Sequence, residues 1–208
     1  MNDSDFEHPR RPVLRGDLPD VADDADPADR TAVAHATAAA VLHAARDDDS
    51  APGTTRRLLD LADRVGLDEI AELWRESGPQ TLPGTLWSLY LLRSWVHRNG
   101  AEAARVFAAG EKVAEVSTVV AGVAHPPGPH EVAALGNAIL TSAFTGDFAV
   151  ALERASAFCR VVAAGRAHLA DHEFDDEGQR QTRLARGNLR MAEELQHAAA
   201  LWRRRELH

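Results

Sequence analysis

The sequence predicts an all-α protein, a helical bundle of seven or eight helices that carries a C-terminal helical arm. Three observations lead to this fold class. Apolar residues recur at intervals of three and four along most segments, which is the period of an amphipathic helix. Prolines, glycines and capping residues divide these segments at helix-sized intervals. Apolar residues make up 45% of the chain, which suffices for one core.

Composition limits the class of protein before any element is placed. With 208 residues, the chain fits one domain, or one domain plus an arm. Cys159 is the only cysteine, which excludes an intramolecular disulfide and a zinc site built on several cysteines. The first residues contain no apolar stretch of the kind that a secretory signal requires. These features together predict a cytoplasmic protein.

Charge is unevenly distributed along the chain. The formal net charge is −9, which should repel nucleic acid and anionic membranes. Residues 1–30 hold nine acids and four arginines, a balance of −5, whereas residues 179–208 hold seven arginines and three glutamates, a balance of +4. Such ends are most often solvated, but they could also meet each other or a second copy.

Three helices are expected before the centre of the chain. Residues 1–25 are acidic and aperiodic, which predicts a disordered N-terminus. Asp26 and Pro27 then form a helix start. Two shorter helices are predicted over residues 54–66 and 68–78. The first helix should pack through a face of small residues, formed by Val33, Ala36, Ala40, Val41, His43 and Ala44.

Residues 82–99 are the predicted centre of the fold. Pro83 suits a first helical turn, Thr81 is a candidate cap, and Asn99 with Gly100 ends the helix. The helix is so apolar that other helices should cover it on several sides. Its apolar face consists of Leu86, Leu89, Leu92 and Val96, widened by Trp87, Leu91 and Trp95.

The second half of the chain repeats this alternation of helix and turn. Helices are predicted over residues 101–110, from Pro129 onwards, and from Phe148 to about Ala170. Residues 113–125 are rich in β-branched side chains, and a helix is favoured there because no other stretch offers a strand partner. The last of these helices should bury Phe148, Ala151, Leu152, Ala155, Phe158, Cys159 and Val162.

A shift of 62 residues aligns the two halves without a gap. Seven identities occur over positions 66–98, including Gly84 with Gly146 and Arg98 with Arg160. In a chain rich in alanine and leucine, chance and the use of similar residues at helix ends could give as many identities. A true duplication would place the tryptophan-rich and phenylalanine-rich long helices of the two halves against each other in a closed bundle.

An acidic hinge, residues 171–178, is predicted to separate the helical domain of residues 26–170 from a C-terminal helix, residues 179–208. Apolar positions in that helix recur in alternating steps of four and three, which is a narrow heptad seam. So short a seam either docks on its own domain or binds a protein partner or a second copy, and the sequence leaves both open. The seam consists of Leu184, Asn188, Met191, Leu195, Ala198 and Trp202, and its candidate partner-binding residues are Leu184, Met191, Leu195 and Trp202.

Tyr90, Arg93 and His97 form the candidate ligand site. Their i, i+3, i+7 spacing aligns a phenol and two cationic groups on the most apolar helix. Against an apolar wall, such groups suit an anionic small molecule or acid–base chemistry. The alternative is that these residues form the solvated edge of the helix.

The sequence predicts no metal, no cofactor and no catalytic residue. His168 and His172 have the i, i+4 spacing of many metal sites, but a third ligand at a diagnostic distance is missing. Cys159 fits a small core residue better than a nucleophile. Gly-rich phosphate loops, nucleophile elbows and HExxH motifs are absent, which argues against familiar catalytic classes without excluding an enzyme.

Three functions therefore remain open. The first, favoured by elimination, is a non-catalytic interaction or regulatory protein that acts through protein–protein contacts of its helix faces and C-terminal helix. The second is a small-ligand or enzymatic bundle that uses the candidate ligand site. The third is a nucleic-acid-associated accessory factor that uses Arg203, Arg204 and Arg205. Three arginines beside Glu206 on an acidic protein are, however, a weak nucleic-acid footprint.

Overall fold

A computed structural model describes residues 26–44, 73–113, 128–172 and 176–208. All regular structure in these residues is helical, which confirms the all-α class. None of the described helices combines the length and the apolar character that crossing a membrane requires. The helices are α1 Pro27–Ala44, α2 Leu82–Arg98, α3 Gly100–Glu111, α4 Pro129–Thr145, α5 Phe148–Ala170 and α6 Asp176–Arg203.

The expected count of seven or eight helices is not confirmed. The described residues contain six helices. The predicted N-terminal segment, the helix over residues 54–66 and nearly all of the segment over residues 113–125 lie outside the described residues. Of the predicted third helix, Leu73 and Trp74 are described and helical. The helices expected over residues 54–66 and 113–125, and the rest of the third helix, stay predictions.

α1, α2 and α5 begin next to the capping residues that the sequence predicts for them. Asp26 accepts a hydrogen bond from the backbone of Ala28 (3.0 Å), just ahead of α1. Thr81 accepts one from the backbone of Gly84 (3.3 Å) in the first turn of α2. Asp147 accepts from two backbone N–H groups of α5. Each cap satisfies donors that the first helical turn leaves without a partner.

The prediction that α2 is the centre of the fold is wrong: α5 is the central helix of the described bundle, and α3, α4 and α6 pack around it. α3 can cross it closely because Gly110 and Gly165 have no side chains at the crossing. A Cβ at either glycine would overlap a backbone carbonyl of the other helix. Phe107 and Phe158 stack at this crossing, with ring centroids 5.2 Å apart. The predicted buried face of α5 is confirmed, since all of its side chains are buried: Phe148, Ala151, Leu152, Ala155, Phe158, Cys159 and Val162.

α2 packs against α1, α3, α4 and α6. The four residues predicted for its main apolar face are buried, whereas Trp87 and Trp95 are only half-buried. The prediction that Leu91 belongs to the covered face is wrong, because Leu91 is 38% exposed. The packing helices cover the opposite side of α2 and leave this side open.

The predicted face of α1 is wrong at three of its positions, whereas Val41 is partly buried against the core and the side chains of His43 and Ala44 lie outside what the structure describes. Val33 is 47% exposed, and Ala36 and Ala40 are exposed too. Alanine occurs on all sides of α1, so its sequence does not define one apolar face. The tertiary partner decides instead: buried Trp74 packs nearby and donates from Nε1 to Thr37 Oγ1 (3.1 Å). The row that is buried consists of Ala34, Ala38 and Leu42.

The internal repeat is not confirmed. The two long helices begin at Leu82 and Phe148, an offset of 66 (148 − 82) rather than 62. Gly84 lies inside the first turn of α2, whereas Gly146 precedes α5. α5 is not among the main neighbours of α2, so these two helices do not form the expected central pair.

α6 packs along α5 more extensively than any other pair of described helices. It begins at Asp176, within the stretch expected to be a hinge. Midway, Ser156 Oγ donates to the backbone oxygen of Ala192 (2.7 Å). Beyond α6 the chain folds back, with Leu207 buried. There the backbone oxygen of His208 accepts a hydrogen bond from the Leu82 N–H (2.8 Å) at the start of α2.

Candidate functional site

Tyr90, Arg93 and His97 lie along the edge of α2 that faces α4. Tyr90 and Arg93 are half-buried, and His97 is exposed. The Tyr90 ring stacks on Trp87, with ring centroids 5.5 Å apart. The structure therefore keeps the three predicted residues on one helix edge. Trp87, which is partly open to solvent, extends this edge through its contact with Tyr90.

Asn137 of α4 joins the two cationic side chains. Arg93 Nε donates to Asn137 Oδ1 (3.0 Å), and His97 Nε2 lies 2.8 Å from the same oxygen. Because an arginine Nε can only donate, the amide oxygen faces this pair, and His97 Nε2 must then carry its proton. The sequence analysis missed Asn137, although an amide within the apolar run of α4 was the available signal.

The arrangement suits holding an anion better than transferring a proton. Asn137 fixes the positions of a guanidinium and an imidazole that project from the same edge. An amide that orients two donors provides a geometry for binding, without itself supplying a nucleophile or a proton relay.

Cys159 is not an activated nucleophile. Its side chain is fully buried in α5. Burial raises the pKa of the thiol to about 12, so the thiolate needed for nucleophilic attack is scarce at neutral pH. The structure thus agrees with the expectation of a small core residue.

His168 and His172 contact each other at the C-terminal end of α5. Their ring centroids are 4.8 Å apart, and His172 Nδ1 lies 2.8 Å from the backbone oxygen of His168. That hydrogen bond occupies Nδ1 of His172 and leaves its Nε2 open, so it does not by itself argue against a metal ligand. Across the described ranges, no group of three or more histidine, cysteine or acidic side chains is placed to hold a metal ion.

Arg166 of α5 is a buried cation that the sequence analysis did not single out. It is 3% exposed, the one buried charged side chain in the described part of the chain. Its Nη1 donates to Glu102 Oε1 (2.9 Å) and to Gln181 Oε1 (2.8 Å). Its guanidinium carbon lies 5.3 Å from the ring centroid of Trp95. Side chains from α2, α3, α5 and α6 therefore meet at one charge.

This network extends to the start of α6. Gln181 Nε2 donates to Glu177 Oε1 (2.6 Å), and that hydrogen bond, assisted by Arg180, lowers the pKa of Glu177. The Arg166 charge is matched by Glu102 and held between helices rather than directed into a cleft. We therefore assign Arg166 a structural role in fastening α6 to the bundle.

The predicted partner-binding seam lies between α6 and the rest of the bundle. Leu195 is buried, Met191 and Trp202 are partly buried against the same core, and Leu184 is half-buried. Trp202 meets Phe148 edge-on, with ring centroids 4.9 Å apart. The structure thus uses the seam for docking within the chain.

The opposite face of α6 carries Arg183, Arg186 and Arg190, here called the arginine row. Their i, i+3, i+7 spacing places them on one side of the helix, and all three are exposed. Within the described ranges, none of the three belongs to an ion pair. Leu189 is 43% exposed beside the row, and Glu193 follows it one turn later.

The terminal arginines are differently placed. Arg203 pairs with Glu153, and Arg204 Nε lies 2.8 Å from Glu206 Oε2. Arg205 lines a wide, open cleft of about 470 Å³ beside Arg203. Two of the three cations that the nucleic-acid hypothesis relied on are therefore engaged in ion pairs.

Comparison of the chain with protein-family models, with curated proteins and with solved structures gives no match. Function must therefore be inferred from the residues and from their geometry.

Proposed function

We propose that the protein is a non-catalytic helical interaction protein that binds a protein partner through the outer face of α6. The arginine row is the observation that supports this. α6 is anchored along α5 by its apolar seam, and it presents three exposed guanidinium groups on the other side. A helix that is already ordered loses little conformational entropy on binding, which favours its use as a contact surface.

The proposal changes the role expected for the seam. Leu184, Met191, Leu195 and Trp202 would hold α6 in place, and the residues facing outward would meet the partner. We also propose a cytoplasmic location, where a protein with one buried thiol needs no disulfide for stability.

The experiment is affinity purification from the protein's own cell, with the wild type compared with the triple variant R183Q/R186Q/R190Q. Glutamine removes the charge and keeps a high helix propensity, so the variant should fold. The matched control, R75Q/R105Q/R204Q, removes the same charge from other sites. A stoichiometric partner should accompany the wild type and the control but not the row variant. Recovery of the same partner with the row variant would contradict the proposal.

A second candidate function is binding of a small anion at Tyr90, Arg93, His97 and Asn137. The convergence of Arg93 and His97 on one Asn137 oxygen is the observation that favours it. Titration with inorganic phosphate and with succinate, followed by two-dimensional NMR, should give saturable shifts centred on these residues. Asn137→Ala should abolish saturation and Asn188→Ala should not. Linear shifts of equal size in all three proteins would dismiss this candidate.

A further inference from the structure

We propose that the arginine row of α6 binds a short acidic segment of the partner, an inference that rests on the interaction role proposed above. Arg183 and Arg190 are separated by seven residues, or about 10 Å along a helix. The guanidinium group forms bidentate pairs with carboxylates, so a row of three favours a ligand that presents several carboxylates at similar spacing. All three side chains are exposed and free of ion pairs within the described ranges.

The overall acidity of the chain does not cancel this local charge. The formal net charge is −9, but at physiological salt the screening length is only about 8 Å. One turn before the row, Gln179 and Thr182 are neutral, whereas Glu193 and Glu194 lie one turn after Arg190. Arg180, on the adjacent side, is balanced by Glu177 at 2.9 Å. The local charge is therefore positive around Arg183 and Arg186, and the two glutamates reduce it at the Arg190 end of the row.

The length of the row favours an acidic protein segment over nucleic acid. Duplex DNA carries about one charge per 1.7 Å, and proteins that bind it commonly neutralise six or more phosphates. The row supplies three cations and ends at Glu193. The next arginines along the chain, Arg203 and Arg204, already pair with Glu153 and Glu206.

Leu189 adds a second reason to expect a protein segment. Its side chain is 43% exposed, and its i+3 spacing from Arg186 places it next to that arginine on the helix surface. An acidic peptide can place an aliphatic side chain on this leucine between two carboxylate contacts. A sugar–phosphate backbone has no equivalent apolar group, so it would leave Leu189 uncovered. The ligand class that fits both features is an acidic segment with one aliphatic residue.

The test uses the full chain and a fluorescein-labelled synthetic peptide with glutamates at i, i+3 and i+7 and one leucine between them. Exposed ion pairs contribute roughly 1.5- to 5-fold each to an equilibrium constant, so the loss of three should weaken binding about tenfold. We therefore expect R183Q/R186Q/R190Q to bind the peptide about tenfold more weakly, by fluorescence anisotropy. Leu189→Ser should weaken it a few-fold, and R75Q/R105Q/R204Q should bind as the wild type does.

Three outcomes would overturn the inference. The first is equal peptide affinity for the row variant and the control variant. The second is undiminished binding of a peptide with glutamines in place of the glutamates. The third is tighter, row-dependent binding of a 20-base-pair DNA duplex, which would assign the row to nucleic acid.

If peptide binding fails while a partner still co-purifies in a row-dependent way, the ligand class is wrong and the interaction role stands. Loss of both results removes both proposals.

Discussion

Arg205 is the one non-glycine residue with positive φ (62°) in the described part of the chain. Its N–H donates to the Trp202 oxygen (2.9 Å), and the Glu206 N–H donates to the Leu201 oxygen (2.9 Å), which is a Schellman ending of α6. A side chain in this left-handed conformation costs about 1–2 kcal/mol. A glycine at this position would avoid that cost, but part of the gain in stability is offset by the greater freedom of glycine in the unfolded chain. We therefore expect Arg205→Gly to raise the free energy of unfolding by about 1 kcal/mol in a urea titration.

The matched control lies one residue earlier. Arg204 does not have positive φ, so Arg204→Gly relieves no backbone strain; it adds freedom to the unfolded chain and removes the exposed ion pair with Glu206, and both effects lower the free energy of unfolding. If both glycine variants lose stability equally, the left-handed conformation is not the cause.

Arg166 allows a second prediction for a single residue. It is 3% exposed, and its charge is balanced by Glu102. Breaking a buried ion pair from one side leaves the other charge poorly compensated, which typically costs about 3–5 kcal/mol. Because Glu102 is 25% exposed, we expect the lower end of this range, about 3 kcal/mol, for Arg166→Met in urea denaturation.

A double-mutant cycle separates this electrostatic cost from lost packing. Arg166→Met combined with Glu102→Leu removes both charges, so the pair should regain at least about 1 kcal/mol relative to the sum of the single variants. Glu102→Gln alone should cost less, since it keeps an acceptor for Arg166. Simple additivity of the two substitutions would show that the ion pair contributes little.

At the level of elements, α3 and α5 depend on two glycines at their crossing. A Cβ at Gly165 would overlap the Val106 carbonyl, so neither helix can keep its position after Gly165→Ala. Overpacking of this kind costs roughly 1–3 kcal/mol. Gly187 on α6 offers the control, because a Cβ there meets nothing within 4 Å.

We therefore expect opposite signs from the same chemical change. Gly165→Ala should lower the thermal midpoint, whereas Gly187→Ala should raise stability by up to about 1 kcal/mol through helix propensity alone. Calorimetry of the two variants beside the wild type measures both effects. A stabilising Gly165→Ala would mean that α3 and α5 are further apart than described.

These elements also show what sequence reasoning can and cannot reach. The starts of α2, α4 and α5 follow from Thr81, Pro129 and Asp147, because capping and proline geometry are local properties. The buried face of α5 followed from its large apolar residues. The face of α1 did not, because alanine on all sides leaves the choice to Trp74, a residue far along the chain.

The candidate sites divide in the same way. The shared edge of Tyr90, Arg93 and His97 follows from helical spacing alone. Asn137 and the partners of Arg166 depend on which helices become neighbours, and no local pattern contains that information. The seam of α6 was visible as a pattern, but whether α5 or another molecule would cover it was a tertiary question.

For the whole molecule, the main observation is that α6 packs against the bundle from its start to its end. It is fastened near its start by Arg166 and Gln181, midway by Ser156, and at its end by Phe148 against Trp202. The tail then closes on the first turn of α2. We expect α6 to open only with the helices it contacts, so its amides should exchange with the same free energy as those of α5.

Native-state hydrogen exchange at increasing urea concentration measures this directly, residue by residue, in the full chain. If α6 is integral, the exchange free energies of buried Ala192 and Leu195 should converge with those of Leu152 and Phe158 as urea rises. An arm held only by its seam would instead show α6 exchanging through a separate, less costly opening, with α5 still protected. That result would return the seam to the list of surfaces free to bind a partner. Convergence leaves the outward arginine row as the face through which α6 can act while the fold stays closed.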